Sequence, residues 1–156
     1  MKKIFLVNKT SEGINIALLL TRVAIAVLML VHGVPKMGLL FSGDTVLFPS
    51  VFGLTPALSL SLTVFAEVLC SVFILAGFAT RLAVVPLIVT MLIAVLVIHD
   101  NDPFSNKELA LHYLVTYLVL LIAGSGKYSL DYLLYTRTDN NYKRVKEEDP
   151  TLAIYS

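Results

Sequence analysis

Seven ionisable residues sit inside or at the ends of long apolar stretches, where such side chains are rare: Arg22, His32, Lys36, Glu67, His99, Glu108 and His112. Imidazoles and carboxylates at that depth can transfer protons and hydrogen-bond to a ligand's oxygen atoms. A lysine ammonium can stabilise an anion forming beside it. An ionisable group within a membrane span is by default a functional-site hypothesis.

His32 and Lys36 fall in LVHGVPKMG, residues 30–38, which closes the first apolar run. They are spaced i, i+4 and share a helix face if the helix persists past Pro35. Gly33 and Pro35 predict that the backbone opens there. Glu108 and His112 have the same i, i+4 spacing near the start of the last run, and His99 ends the third. All three histidines of the chain therefore fall in one layer, with Lys36 and Glu108 beside them. The bland account is that helix ends carry polar residues.

Arg22 lies about eight residues into the first run, counted at about 1.5 Å per residue, and Glu67 lies near the middle of the second. They have opposite sign and overlapping depth. That predicts an intramembrane ion pair, or a proton relay below the histidine layer. Ser59, Thr63, Glu67, Cys70 and Ser71 form a polar stripe on the second run, which should face the interior of a bundle.

The elements that must position these groups follow from composition. The chain has 156 residues, is 57% hydrophobic and has a mean hydropathy of +0.83. That is too apolar for a water-facing sphere, so lipid must solvate part of it. A net charge of +1 gives no electrostatic case for nucleic acid. The single cysteine, Cys70, rules out an internal disulfide or dithiol pair and reads as packing. No metal-ligand spacing is present.

Four apolar runs, about 14–34, 56–78, 82–98 and 108–124, have lengths near the ~20 residues a helix needs to cross the hydrocarbon. The fold class is an all-α membrane protein, a four-transmembrane-helix bundle. Residues 1–13 read as a cytoplasmic stub, 14–135 as the membrane domain and 136–156 as a polar cytoplasmic tail. Ser11 reads as an N-cap. Lys2, Lys3, Lys9, Arg81, Lys127, Arg137, Lys143, Arg144 and Lys146 fall on the side of the termini. Lys36 and Lys107 fall on the other, with Asp44, Asp100 and Asp102. The positive-inside rule then puts both termini in the cytoplasm and the chain in the cytoplasmic membrane. Tyr128, Tyr132 and Tyr135 suit an interfacial segment, and Gly124-Ser125-Gly126 reads as a helix C-cap.

With these motifs in place, the chain resembles the DoxX family of small four-span membrane proteins. His32-Gly33-Val34-Pro35-Lys36 is similar to that family's H-G-x-x-K element, and Glu67 stands within the second span. Gly77-Phe78-Ala79-Thr80-Arg81 resembles its G-x-x-x-R turn, and His99 and Glu108 follow in order. Gly124-Ser125-Gly126-Lys127-Tyr128-Ser129-Leu130-Asp131 resembles its G-x-G-x-Y-S-L-D close. The resemblance covers roughly residues 14–133. The stretch 41–55 departs from it and reads as a re-entrant or interfacial segment.

The resemblance implies a membrane partner in redox chemistry, with a quinone as the expected cofactor. His32, His99 and His112 would hydrogen-bond the head group, Glu108 would orient His112 and relay protons, and Lys36 would stabilise the reduced anion. No flavin, nicotinamide or metal motif is present, so electrons would come from a redox-enzyme partner subunit or a small reductant. A non-catalytic anchor for redox enzymes is the competing reading, and a solute or proton pathway through a homo-oligomer is another. Haem, with His32 and His99 as axial ligands, is the remotest, because interfacial histidines explain the same residues.

Overall fold

The computed structural model describes residues 11–42 and 47–138. Most of the expected stub and tail, and Asp44, lie outside the described residues. Helix α1 spans Ser11–Phe41, α2 Pro56–Ala76, α3 Thr80–Ile98 and α4 Phe104–Ala123. A short α5 covers residues 130–138. The first four are long and apolar enough to cross a bilayer, and no strand is present among the described residues. The fold is the four-helix membrane bundle that composition predicts. Leu82, Val31 and Ile122 stay exposed on its flanks, as lipid contact requires.

Helix ends follow from local chemistry. Thr55 caps α2 by accepting a bond from the Leu58 amide at 3.3 Å, with Pro56 in the first turn. Gly77 ends α2 in the left-handed region, at φ +69. Its amide bonds to Ile74 O and that of Phe78 to Phe73 O, which satisfies the last carbonyls. Gly124 ends α4, as its place after Ala123 predicts.

The predicted opening at Gly33 and Pro35 does not occur. Helix α1 continues through Pro35 to Phe41. Proline removes its own N–H from the ladder and crowds the carbonyl one turn back, and packing in a membrane bundle tolerates both. At 31 residues α1 is about 46 Å long. His32 and Lys36 therefore stay one turn apart on one helix.

Gly33 sets how closely α1 meets α2. A Cβ there would stand 2.9 Å from both Glu67 Cβ and Val68 Cγ2, and 3.1 Å from the Glu67 carbonyl carbon. Gly33→Ala is expected to destabilise the protein by about 1–3 kcal/mol through overpacking. Thermal unfolding in detergent measures it, and an unchanged midpoint would mean the helices are not held this close.

The predicted polar stripe of α2 faces inward. Ser59, Glu67, Cys70 and Ser71 are buried, and Thr63 is half-buried. Cys70 packs with Met29, Ala66 and Tyr117 in the core. The helix passes through a π-helical turn at Phe65–Cys70, which contains Glu67. A second π-helical stretch, Ala94–Ile98, leads into His99. Such turns interrupt α-helices often at functional sites.

Candidate functional site

The two deep charges are not partners. Gly33 is level with Glu67, and Arg22 precedes Gly33 by eleven residues, about 16 Å along the helix. Depth counted from the edges of apolar runs places Arg22 and Glu67 at overlapping levels; the packed helices separate them.

Arg22 is a cap. Its side chain is 1% exposed. Nε donates to Ile74 O at 3.1 Å, Nη2 to Leu75 O at 3.5 Å and Nη1 to Ser125 O. It thus ties the C-terminal end of α2 to the loop after α4, where helix dipoles favour a cation. Gly77 leaves room for it, because a Cβ there would meet the guanidinium at 2.6 Å. Arg81 does a similar thing for α4, donating to Ile122 O at 3.1 Å. Asp131 caps α3 from outside the helix, accepting from the amides of Ala79 at 2.7 Å and Thr80 at 3.3 Å. The glycine-rich turns and the closing aspartate thus form a structural knot at this end.

Glu67 pairs with Lys36. Lys36 Nζ lies 2.5 Å from Glu67 Oε1, and the two side chains are 33% and 3% exposed. The lysine reaches from the far end of α1 into the interior. Glu67 Oε2, Ser71 Oγ and Tyr117 Oη are buried without a hydrogen-bond partner. Tyr117 shares its buried cluster with Ala66, Cys70 and Tyr113.

His32 and His99 converge. They line one pocket of about 130 Å³ with Met29, Met91, Asn106 and Tyr113. The His32 ring meets the edge of Tyr113 at 5.9 Å, and Tyr113 stacks on Tyr117 at 6.1 Å. His99 is held from behind, because its Nδ1–H donates to Asp102 Oδ2 at 2.7 Å. A carboxylate only accepts, so the proton sits on Nδ1 and Nε2 is left for a ligand. The hydrogen bonds from His99 and from Asn106 hold the Asp102 carboxyl below its ordinary range.

Glu108 and His112 stand apart from that pocket. They line a separate shallow groove with Phe104 and Val115. The His112 ring is oriented by the backbone carbonyl of Glu108, at 2.8 Å from Nδ1, rather than by its carboxylate. Tyr113, one residue on, turns inward, as do Tyr117 and Leu120.

Tyr113, Tyr117, Asp102 and Asn106 join the site although they are not among the sequence candidates. The i, i+4 spacing of Tyr113 and Tyr117 inside an apolar helix was the available signal for the first two. The i, i+3 spacing of His99 and Asp102 across a helix end was the signal for the third.

A family model described as DoxX matches residues 17–100. No curated protein and no solved structure matches the chain. The matched region contains Arg22, His32, Gly33, Lys36, Glu67, Gly77, Arg81 and His99. It is more than half of the sequence and holds the Lys36–Glu67 pair and both pocket histidines. This chain belongs to the DoxX family and is a multi-pass membrane protein of four candidate spans.

Proposed function

We propose that the protein is a subunit of a membrane redox system and holds a quinone-type head group at the histidine end of its bundle. The observation that carries this reading is the convergence of His32, Tyr113 and His99, from three different spans, on one small pocket. A quinone takes up two electrons and two protons, and its ring presents two carbonyl oxygens that need hydrogen-bond partners. The pocket has that chemistry: imidazoles and Asn106 amide for the oxygens, methionines and an aromatic ring for the apolar faces.

His99 suits both redox forms. Neutral, its Nε2 accepts a hydrogen bond from a hydroxyl; protonated, it donates one to a carbonyl. Glu108 and His112 line a separate groove, so in this reading they have no part in head-group binding. Electrons come from a partner subunit or small reductant. The excess of Arg22, Arg81, Lys127 and Arg137 at the end carrying the termini favours a cytoplasmic placement of that end.

Quinone titration of the purified protein in detergent tests the assignment. Loss of one hydrogen bond at this partly open site costs about 0.5–1.5 kcal/mol, which corresponds to roughly 2- to 13-fold in affinity. His32→Ala and His99→Ala are expected to weaken binding by that order and His112→Ala to leave it unchanged. Equal affinity in all four proteins would move the function to a non-catalytic anchor.

A further inference from the structure

The interior below the pocket holds polar atoms that neither the caps nor the quinone site uses. Among the described residues, the buried side-chain oxygens without a partner are Glu67 Oε2, Ser71 Oγ, Tyr117 Oη and Thr80 Oγ1. The first three fall in the core between the ends of the bundle. Ser71 follows Glu67 by one turn on the same buried helix face. Tyr117, on α4, is buried in the same core cluster as Ala66 and Cys70, which flank Glu67 on α2. One orphaned hydroxyl costs about 1–3 kcal/mol, and native interiors satisfy such groups through one another or through buried water. Two of them beside a carboxylate oxygen that itself has no partner are more than packing explains.

The two ends of this seam differ. At the histidine end Lys36, one-third exposed, bonds to Glu67 and so links it to the surface. At the other end Arg22, buried and bonded to three carbonyls, stands between the end of α2 and the loop after α4. A fixed guanidinium in a narrow path is a barrier to protons.

We propose that Glu67, Ser71 and Tyr117 form an interior proton site that loads from the histidine end through Lys36 and is closed at the opposite end by Arg22. A proton passes from the Lys36 ammonium to the Glu67 carboxylate, leaving a neutral pair, and the Lys36 amine takes a replacement proton from hydronium or a buffer acid at the surface. Tyr117 and Ser71 share the proton by hydrogen bonding, directly or through water. No electron moves, so the site does not depend on the quinone reading.

The test removes the barrier. The full chain is placed in liposomes of neutral lipid holding a pH-sensitive dye, without quinone, and a potassium diffusion potential draws protons inward. Wild type is expected to conduct no faster than protein-free liposomes. Arg22→Gln, which keeps an amide donor for the carbonyls, is expected to admit protons at least about tenfold faster. Glu67→Gln in the same background should return the rate to the wild-type level. The proposal is overturned if Arg22→Gln does not conduct, if conduction survives the added Glu67→Gln, or if wild type already leaks. Should Arg22→Gln fail to fold, infrared difference spectra decide. The Glu67 carboxylate stretch, identified by its loss in Glu67→Gln, should shift in Tyr117→Phe; an unmoved band overturns the shared site.

Discussion

Arg22→Ala is expected to lower stability by about 3 kcal/mol or more. Hydrogen bonds from a charged donor contribute roughly 1.5–3 kcal/mol each, and this side chain makes three, to Ile74 O, Leu75 O and Ser125 O. Removing it strands the carbonyls at the end of α2 and in the loop after α4, of which Ile74 O is buried and the other two are partly buried. Arg22→Lys should recover only part of the loss, since one ammonium cannot span three acceptors as a planar fork does. Chemical unfolding in detergent measures both. A cost below about 1 kcal/mol for Arg22→Ala, the level of an ordinary substitution, would mean that the caps do not hold the two ends together.

Lys36→Met is expected to destabilise by about 2–3 kcal/mol. Breaking a fully buried ion pair by removing one partner costs about 3–5 kcal/mol. Lys36 is 33% exposed, which screens the pair and places the effect below that range. Much of the loss comes from leaving Glu67 charged and alone, so Lys36→Met combined with Glu67→Leu should be less harmful than the sum. A double-mutant cycle gives the coupling. More than about 1 kcal/mol is expected between Lys36 and Glu67, and less than about 0.5 kcal/mol between Arg22 and Glu67, which share no partner. The reverse order would restore the pairing that sequence depth suggests.

The spans were legible because four apolar runs near twenty residues leave few other folds. The inward face of α2 was legible because its polar residues recur at helical spacing. Partnership was not. Charge sign and approximate depth suggest Arg22 for Glu67, but register depends on how closely helices pack, and Gly33 sets that by admitting the Glu67 backbone against α1. Lys36 then becomes the cation within reach. The pair H-G and the following P-K look like a helix end in sequence. In three dimensions they are a close helix contact followed by a lysine that turns inward. The histidine layer was legible as a layer, not as a site. Periodicity relates His112 to Glu108 but cannot say that the face they share looks away from His32 and His99. Tyr113 and Tyr117 were hidden because an aromatic inside an apolar helix usually signals packing alone. The glycine-rich close was legible as the cap that ends α4, whereas Asp131 was visible only as part of a motif, and the structure gives its role as a cap for α3.

Photo-crosslinking with an azido-quinone in native membranes, mapped by mass spectrometry, tests the central assignment most directly. The account predicts label on the peptides carrying His32, Met91 to His99 and Asn106 to Tyr113, suppressed by excess unmodified quinone and reduced in His99→Ala. Label confined to the apolar groove between α2 and α3, around Leu62 and Val89, or label that excess quinone does not suppress, would contradict it.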